Sequence, residues 1–181
     1  MSGKKIGITG HTNGLGKAIH DRYQPNVVGF SRRNGFDISI KEDRKRIIES
    51  SMDLDIFINN AYSDMHQVDL LYEIFDAWKD RDAIILNISS NSSDGIKKMR
   101  HPYAVYKSAL DKASEQLSRL SNNCRVFNIR PGYMDTPRVA HVMDEPKIGM
   151  VQMLSVVDFM VNAHPDVDAL NITILPRTKL S

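Results

Sequence analysis

The chain has one cysteine, Cys124, in 181 residues, so no internal disulfide can form and a reducing compartment, the cytoplasm, fits. Cys124 stands just before Arg125-Val126-Phe127, where a small buried hydrophobe is the expected role, not a nucleophile. No apolar run approaches the length needed to span a membrane, and the N-terminus lacks the hydrophobic core of a signal peptide. A formal net charge of +2 gives no large basic surface, which argues against nucleic acid as a partner. The basic cluster Lys41-Glu42-Asp43-Arg44-Lys45-Arg46 is interrupted by acids and is expected to be a solvated helix face. His66, His101, His141 and His164 have no spacing that suggests a metal site. Internal repeats and low-complexity linkers are absent as well. What remains is an ordinary globular composition, 41% hydrophobic and 25% charged, expected to form a single domain over residues 1–181.

The most informative stretch is Thr9-Gly10-His11-Thr12-Asn13-Gly14-Leu15-Gly16. It follows a β-type run and opens a helix-compatible one. A strand ending in a glycine-rich turn that opens a helix makes a phosphate cradle, because the helix N-terminal amides and dipole face the anion. Gly10 permits the tight turn, Gly14 lets backbone approach a pyrophosphate, and Gly16 lets helix and strand pack. Asn13 and Leu15 belong to the same candidate contact set. His11, within the turn, is expected to be an exposed loop histidine.

Beyond it, short apolar runs alternate with helix-period segments. Strands are expected at Lys5–Thr9, Val27–Ser31, Phe36–Ile38, Asp55–Asn59, Ala83–Ser89, Arg125–Ile129 and Leu170–Leu175. Helices are expected at Gly14–Arg22, Ile40–Met52, Leu70–Lys79, Val105–Leu120 and Val151–Val161. The β-type runs are continuously apolar, as befits parallel strands covered on both faces. The pattern predicts an α/β, Rossmann-type, doubly wound parallel sheet of about seven strands with helices on both faces. Ligands bind such sheets beyond the carboxyl ends of the strands.

Polar residues gather at those ends. Ser31-Arg32-Arg33 follows the second run, where arginine suits a 2′-phosphate and an acid would suit ribose hydroxyls. Two solvated arginines in a turn are the alternative. Asp37, with Ile38 beside it in the candidate cofactor set, could accept from an adenine amino group or cap the next helix. Asn60 and Ala61 end the fourth run, and Ser90 follows the fifth. Tyr103 and Lys107 are four apart and share a helical face. A phenol needs about 4 kcal/mol of differential stabilisation to titrate near neutrality, and an ammonium about 4 Å away supplies about that much. Ser90 could then hold a carbonyl oxygen while Tyr103 donates its proton. Pro131, Gly132, Met134 and Thr136 follow the sixth run and could meet a planar ligand. Met134, Met143 and Met150 sit in or beside a short segment expected to form a small substrate lid, with adaptable packing the commoner role of such methionines. Trp78 is expected in packing or a subunit contact.

Together these segments resemble the short-chain dehydrogenase/reductase family. Its threonine-glycine-x-x-x-glycine-x-glycine motif is matched by Thr9 to Gly16, and its asparagine-asparagine-alanine-glycine turn by Asn59, Asn60 and Ala61, with Tyr62 in the last place. Ser90 stands thirteen positions before Tyr103, the usual family spacing, and Tyr103 with Lys107 matches the tyrosine-x-x-x-lysine pair. Pro131, Gly132 and Thr136 match the segment that contacts nicotinamide. The resemblance implies hydride transfer between a nicotinamide cofactor and a small carbonyl or alcohol. NADP(H) is preferred and NAD(H) is the alternative. Tyr103 would be the general acid/base, Lys107 would bind the nicotinamide ribose and lower the tyrosine pKa, and Ser90 would orient the substrate. Three departures stand against a full-length member. No helix fits between Arg33 and Asp37, the helices that commonly build a dimer interface are trimmed, and no asparagine lies between Ala61 and Leu86 to serve as the fourth catalytic residue. Asp64, His66 or Gln67 could substitute for it, and none of the three is assigned that role. A homo-oligomer is compatible with the resemblance. A nucleotide sensor or scaffold without catalysis, or an isomerase/epimerase with tightly held cofactor, is the alternative function.

Overall fold

In a computed structural model, the structure describes residues 3–96, 98–120, 123–168 and 171–177. Among the described residues six strands and five α-helices alternate: β1 (Ile6–Thr9), α1 (Gly14–Arg22), β2 (Val27–Phe30), α2 (Lys41–Glu49), β3 (Ile56–Asn59), α3 (His66–Trp78), β4 (Ala83–Ile88), α4 (Pro102–Leu117), β5 (Cys124–Pro131), α5 (Met150–Val161) and β6 (Ile172–Ile174). The strands form one parallel sheet in the order β2-β1-β3-β4-β5-β6. The order reverses at β1, which pairs with both β2 and β3, and that switch point opens a crevice at the carboxyl ends of the strands.

The central strands are apolar without alternation because both faces are covered. Ile6, Ile8, Ile56, Ile58, Leu86 and Ile129 pack on one side with α1 and α5, through Leu15, Ile19, Met153 and Val157. Phe57, Ile85 and Val126 pack on the other with α2, α3 and α4, through Ile47, Leu71, Ile74 and Leu110. Trp78 is fully buried and meets Phe57 edge-on, so packing is its role here. Cys124 is buried at the start of β5, and burial pushes its thiol up to about 12.

Three expectations are corrected. The Phe36–Ile38 run is not a strand, so the sheet has six strands and not seven among the described residues. The chain leaves β2 through a 3-10 turn at Arg32–Asn34 that closes on Gly35 at φ 85°. Phe36 then folds back edge-on against Phe30, which leaves no extended partner for the β2 edge. Arg44, expected on a solvated face, is 6% exposed; its guanidinium makes a bidentate pair with Glu73 of α3 (2.9 and 3.0 Å) and donates to the Ile38 carbonyl. His11 is half-buried rather than exposed, and its ring lies 4.9 Å from that of His20, tilted by 35°. Burial, then the neighbouring His20, holds its pKa below the usual imidazole range. Leu170, the first residue of the last expected strand, lies outside the described residues.

Candidate active site

Two hollows adjoin at the carboxyl edge of the sheet. The larger, about 790 Å³, lies over the ends of β1, β2 and β3; the smaller, about 560 Å³, lies over the ends of β4 and β5. Met134 and Thr136 line both, so a ligand in one would abut a ligand in the other.

The glycine turn forms the floor of the larger cleft. Gly14 opens α1 at φ 53°, a left-handed conformation that side chains resist. A Cβ on Gly16 would collide with the Gly10 carbonyl and stand 2.6 Å from Asn60 Nδ2. Asn13 at the N-cap makes no side-chain capping bond, so the first-turn amides of α1 are not capped by it and face the cleft. Gly10, Asn13, Gly14, Leu15 and Gly16 all line it. The Asn60-Ala61 turn is stapled to this floor by Thr9, whose Oγ1 accepts from the backbone amides of Asn60 (3.0 Å) and Ala61 (2.9 Å). Asn60 Nδ2 in turn donates to the Thr9 carbonyl at 2.9 Å. Thr9 was legible only as a motif letter; its role as the staple needed the structure.

Ser31, Arg32 and Arg33 stand at the far end of the cleft, on the 3-10 turn after β2. Asn34 holds that turn by accepting from the Ser31 amide at 2.8 Å and donating to the Gly29 carbonyl at 2.8 Å. Both arginines are exposed. Asp37 and Ile38 line the same end. Asp37 Oδ1 accepts from the Ser39 amide (2.9 Å) and hydroxyl (2.8 Å), which hold its carboxyl below the usual carboxylate range. Asp37 thus builds the turn that leads to α2 without being its N-cap, a position held by Ile40. Phe30 and Phe36 supply aromatic wall here, and sequence reasoning did not single them out.

Ser90 and Tyr103 line the smaller hollow together with Pro131 and Gly132. The two serines that follow β4 divide their tasks. Ser89 Oγ hydrogen-bonds Asp111, whereas Ser90 Oγ accepts from the Ser92 amide (3.2 Å) and meets Ser92 Oγ at 2.8 Å. Pro102 occupies the first turn of α4, where its missing N–H costs nothing, and Tyr103 follows it. Lys107 lies one turn on and is 3% exposed. Its Nζ donates to Gln67 Oε1 and to the Ile88 carbonyl, both at 2.8 Å, and lies 5.7 Å from the centroid of the Tyr103 ring. Tyr62 lies 5.6 Å from the same ammonium and meets Tyr103 edge-on; burial, and then its hydrogen bond to Asp64, push the Tyr62 phenol up to about 12. Thr136 faces Gly14 across the cleft, its methyl 3.7 Å from where a Cβ on Gly14 would be. Met143 is exposed outside this arrangement, while Met150 begins α5.

No protein-family model matches the sequence, and no curated protein does. Solved structures do match in fold. A 3-ketoacyl-(acyl-carrier-protein) reductase from Brucella melitensis complexed with NADH superposes with a TM-score of 0.80 at 16% identity, covering 95% of this chain and 96% of that one. L-sorbose reductase from Gluconobacter frateurii, complexed with NADPH and L-sorbose, gives 0.79 at 17% identity, covering 97% and 96%. A short chain dehydrogenase from Burkholderia cenocepacia in complex with NADP gives 0.75 at 20% identity, covering 94% and 87%. With its six-stranded parallel sheet, this chain has the fold of the short-chain dehydrogenases.

Proposed function

We propose that the chain is a single nucleotide-binding domain that acts as an NADP(H)-dependent oxidoreductase, interconverting a small carbonyl compound and its alcohol. The observation that carries this reading is the junction of the two hollows at Met134 and Thr136, with a phosphate cradle and arginines in one and Ser90 and Tyr103 in the other. Neighbours of the same fold bear NADH, NADP or NADPH in their described complexes, which supports the cofactor class.

The residues present suit a dinucleotide. The absence of a Cβ at Gly14 and Gly16 leaves backbone amides bare to a pyrophosphate, and the Arg32 fork can grip a 2′-phosphate with Arg33 beside it. Asn60 and Ala61 wall the middle of the cleft, and Asp37 and Ile38 wall its adenine end. When bound, reduced nicotinamide supplies a hydride to the carbonyl carbon. Ser90 Oγ donates a hydrogen bond to the carbonyl oxygen and fixes its direction. Tyr103 Oη gives that oxygen its proton, and in oxidation takes it back. The Lys107 ammonium, close to the Tyr103 ring, favours the charge that develops on the phenol oxygen. Pro131, Gly132 and Met134, which line the smaller hollow, are the residues that would flank the nicotinamide. No helix among the described residues is long and apolar enough to cross a membrane, and the single buried Cys124 supports a reducing cytoplasmic setting.

One observation favours a second reading. Lys107 is 3% exposed and the Tyr62 ring lies over it, an arrangement suited to a protein that binds the nucleotide without turnover. Incubation with NADPH and a panel of small ketones, aldehydes and ketoses separates the two. Loss of NADPH absorbance that Tyr103→Phe abolishes supports the oxidoreductase; binding without oxidation on any carbonyl supports the second reading.

A further inference from the structure

Gln67 occupies the first turn of α3 and is 2% exposed. Its side-chain amide is held at both ends. Nε2 donates to the Asn59 carbonyl at 2.8 Å and to the Ile88 carbonyl at 3.2 Å, while Oε1 accepts from Lys107 Nζ at 2.8 Å. Reversing the amide would set an N–H against an ammonium and an oxygen against two carbonyls, so the orientation is determined by its partners. The backbone of Gln67 is fixed as well, because Asn59 Nδ2 donates to its carbonyl at 2.9 Å and to Asn87 Oδ1 at 3.0 Å. Asn87 Nδ2 then donates to Ser114 Oγ at 3.0 Å, which brings the chain of bonds onto α4, the helix that carries Tyr103 and Lys107.

We propose that Gln67 is a positioning residue, acting through Lys107: its Oε1 holds the ammonium beside the Tyr103 ring, and its neutrality leaves the positive charge undiminished there. A carboxylate at the same place would still accept from the ammonium, but it would cancel much of its field and set its second oxygen against the Asn59 and Ile88 carbonyls. An apolar side chain would leave the field but remove one of the two acceptors that hold the ammonium, leaving the Ile88 carbonyl alone. This rests on the oxidoreductase reading, but the fixing of Lys107 can be measured without turnover.

Two variants and two readouts decide it. Gln67→Met keeps length without an acceptor, and Gln67→Glu keeps the acceptor but adds charge. Acylation of Lys107 by an N-hydroxysuccinimidyl ester, followed by peptide mass spectrometry and normalised to the exposed Lys112, reads how firmly the ammonium is held. Labelling should rise at least tenfold in Gln67→Met and stay at the wild-type rate in Gln67→Glu. The kcat for carbonyl reduction should fall at least tenfold in both, with the NADPH dissociation constant within threefold of wild type. Wild-type labelling and wild-type kcat in Gln67→Met would overturn the inference. Should Gln67→Met fail to fold, Gln67→Glu decides alone: reduced kcat with Lys107 still protected supports it, and wild-type kcat overturns it. If the wild-type protein itself reduces no carbonyl, the oxidoreductase reading fails, and the labelling contrast still decides whether Gln67 fixes Lys107.

Discussion

The ring of Tyr62 meets the ring of Tyr103 edge-on, with 4.9 Å between centroids. Tyr62 stands where the resembled family turn has glycine; its ring lines the larger cleft and lies 5.6 Å from the Lys107 ammonium. Tyr62→Gly should expose Lys107 to the cleft and tighten NADPH binding severalfold. A fluorescence titration checks this, and weaker binding would mean that the ring contributes contact rather than obstruction.

Tyr103→Phe removes the phenol oxygen and leaves the edge-on packing against Tyr62. Losing a positioned proton donor costs about 10²- to 10⁴-fold in rate. Steady-state kinetics should therefore show kcat down at least 100-fold, with the NADPH dissociation constant changed less than threefold.

Arg32→Ala should discriminate between cofactors. A hydrogen bond to a charged group contributes about 1.5–3 kcal/mol, which is about 10- to 100-fold in affinity. NADPH should weaken by that factor and NADH by less than threefold. A parallel loss of both would assign Arg32 to general backbone contact.

Asp158 joins α5 to α1, accepting from Tyr23 Oη at 2.6 Å and from Arg22 at 2.9 Å. Burial alone would raise its pKa, but the Tyr23 and Arg22 donors outweigh it and hold the carboxyl below 3.8. A carboxyl depressed by folding adds stability above its unfolded value, near 3.8, and loses it as pH falls through the folded value. Asp158→Asn should therefore lower the melting temperature at pH 7, with the gap to wild type closing toward pH 2. A gap independent of pH would leave only a shape effect.

Much of this was legible in the chain because glycine and periodicity both act locally. The Gly14–Arg22 helix has the expected bounds, fixed by the turn that precedes it. Ser90, Tyr103 and Thr136 come together because each follows a strand of one parallel sheet. Phe36–Ile38 failed as a strand because three residues carry little period, and the left-handed Gly35 and the Phe30 contact decide the path instead. Helix α3 begins at His66 where Leu70 was expected, since its first turn, His66-Gln67-Val68-Asp69, has one apolar residue and Met65 gives no side-chain cap to mark the start. That is also why Gln67 escaped assignment: its partners Asn59 and Lys107 are distant in sequence and meet only across the sheet. Arg44 was hidden in the same way, since its neighbours in the chain are solvated and its partner Glu73 belongs to another helix.

Parallel calorimetric titrations of the purified protein with NADPH and NADH would reveal a cradle for a phosphorylated dinucleotide. NADPH should bind saturably and at least tenfold more tightly than NADH, and a side chain at Gly14, as in Gly14→Val, should abolish that binding. Binding of neither nucleotide would contradict the cradle and remove the oxidoreductase reading with it.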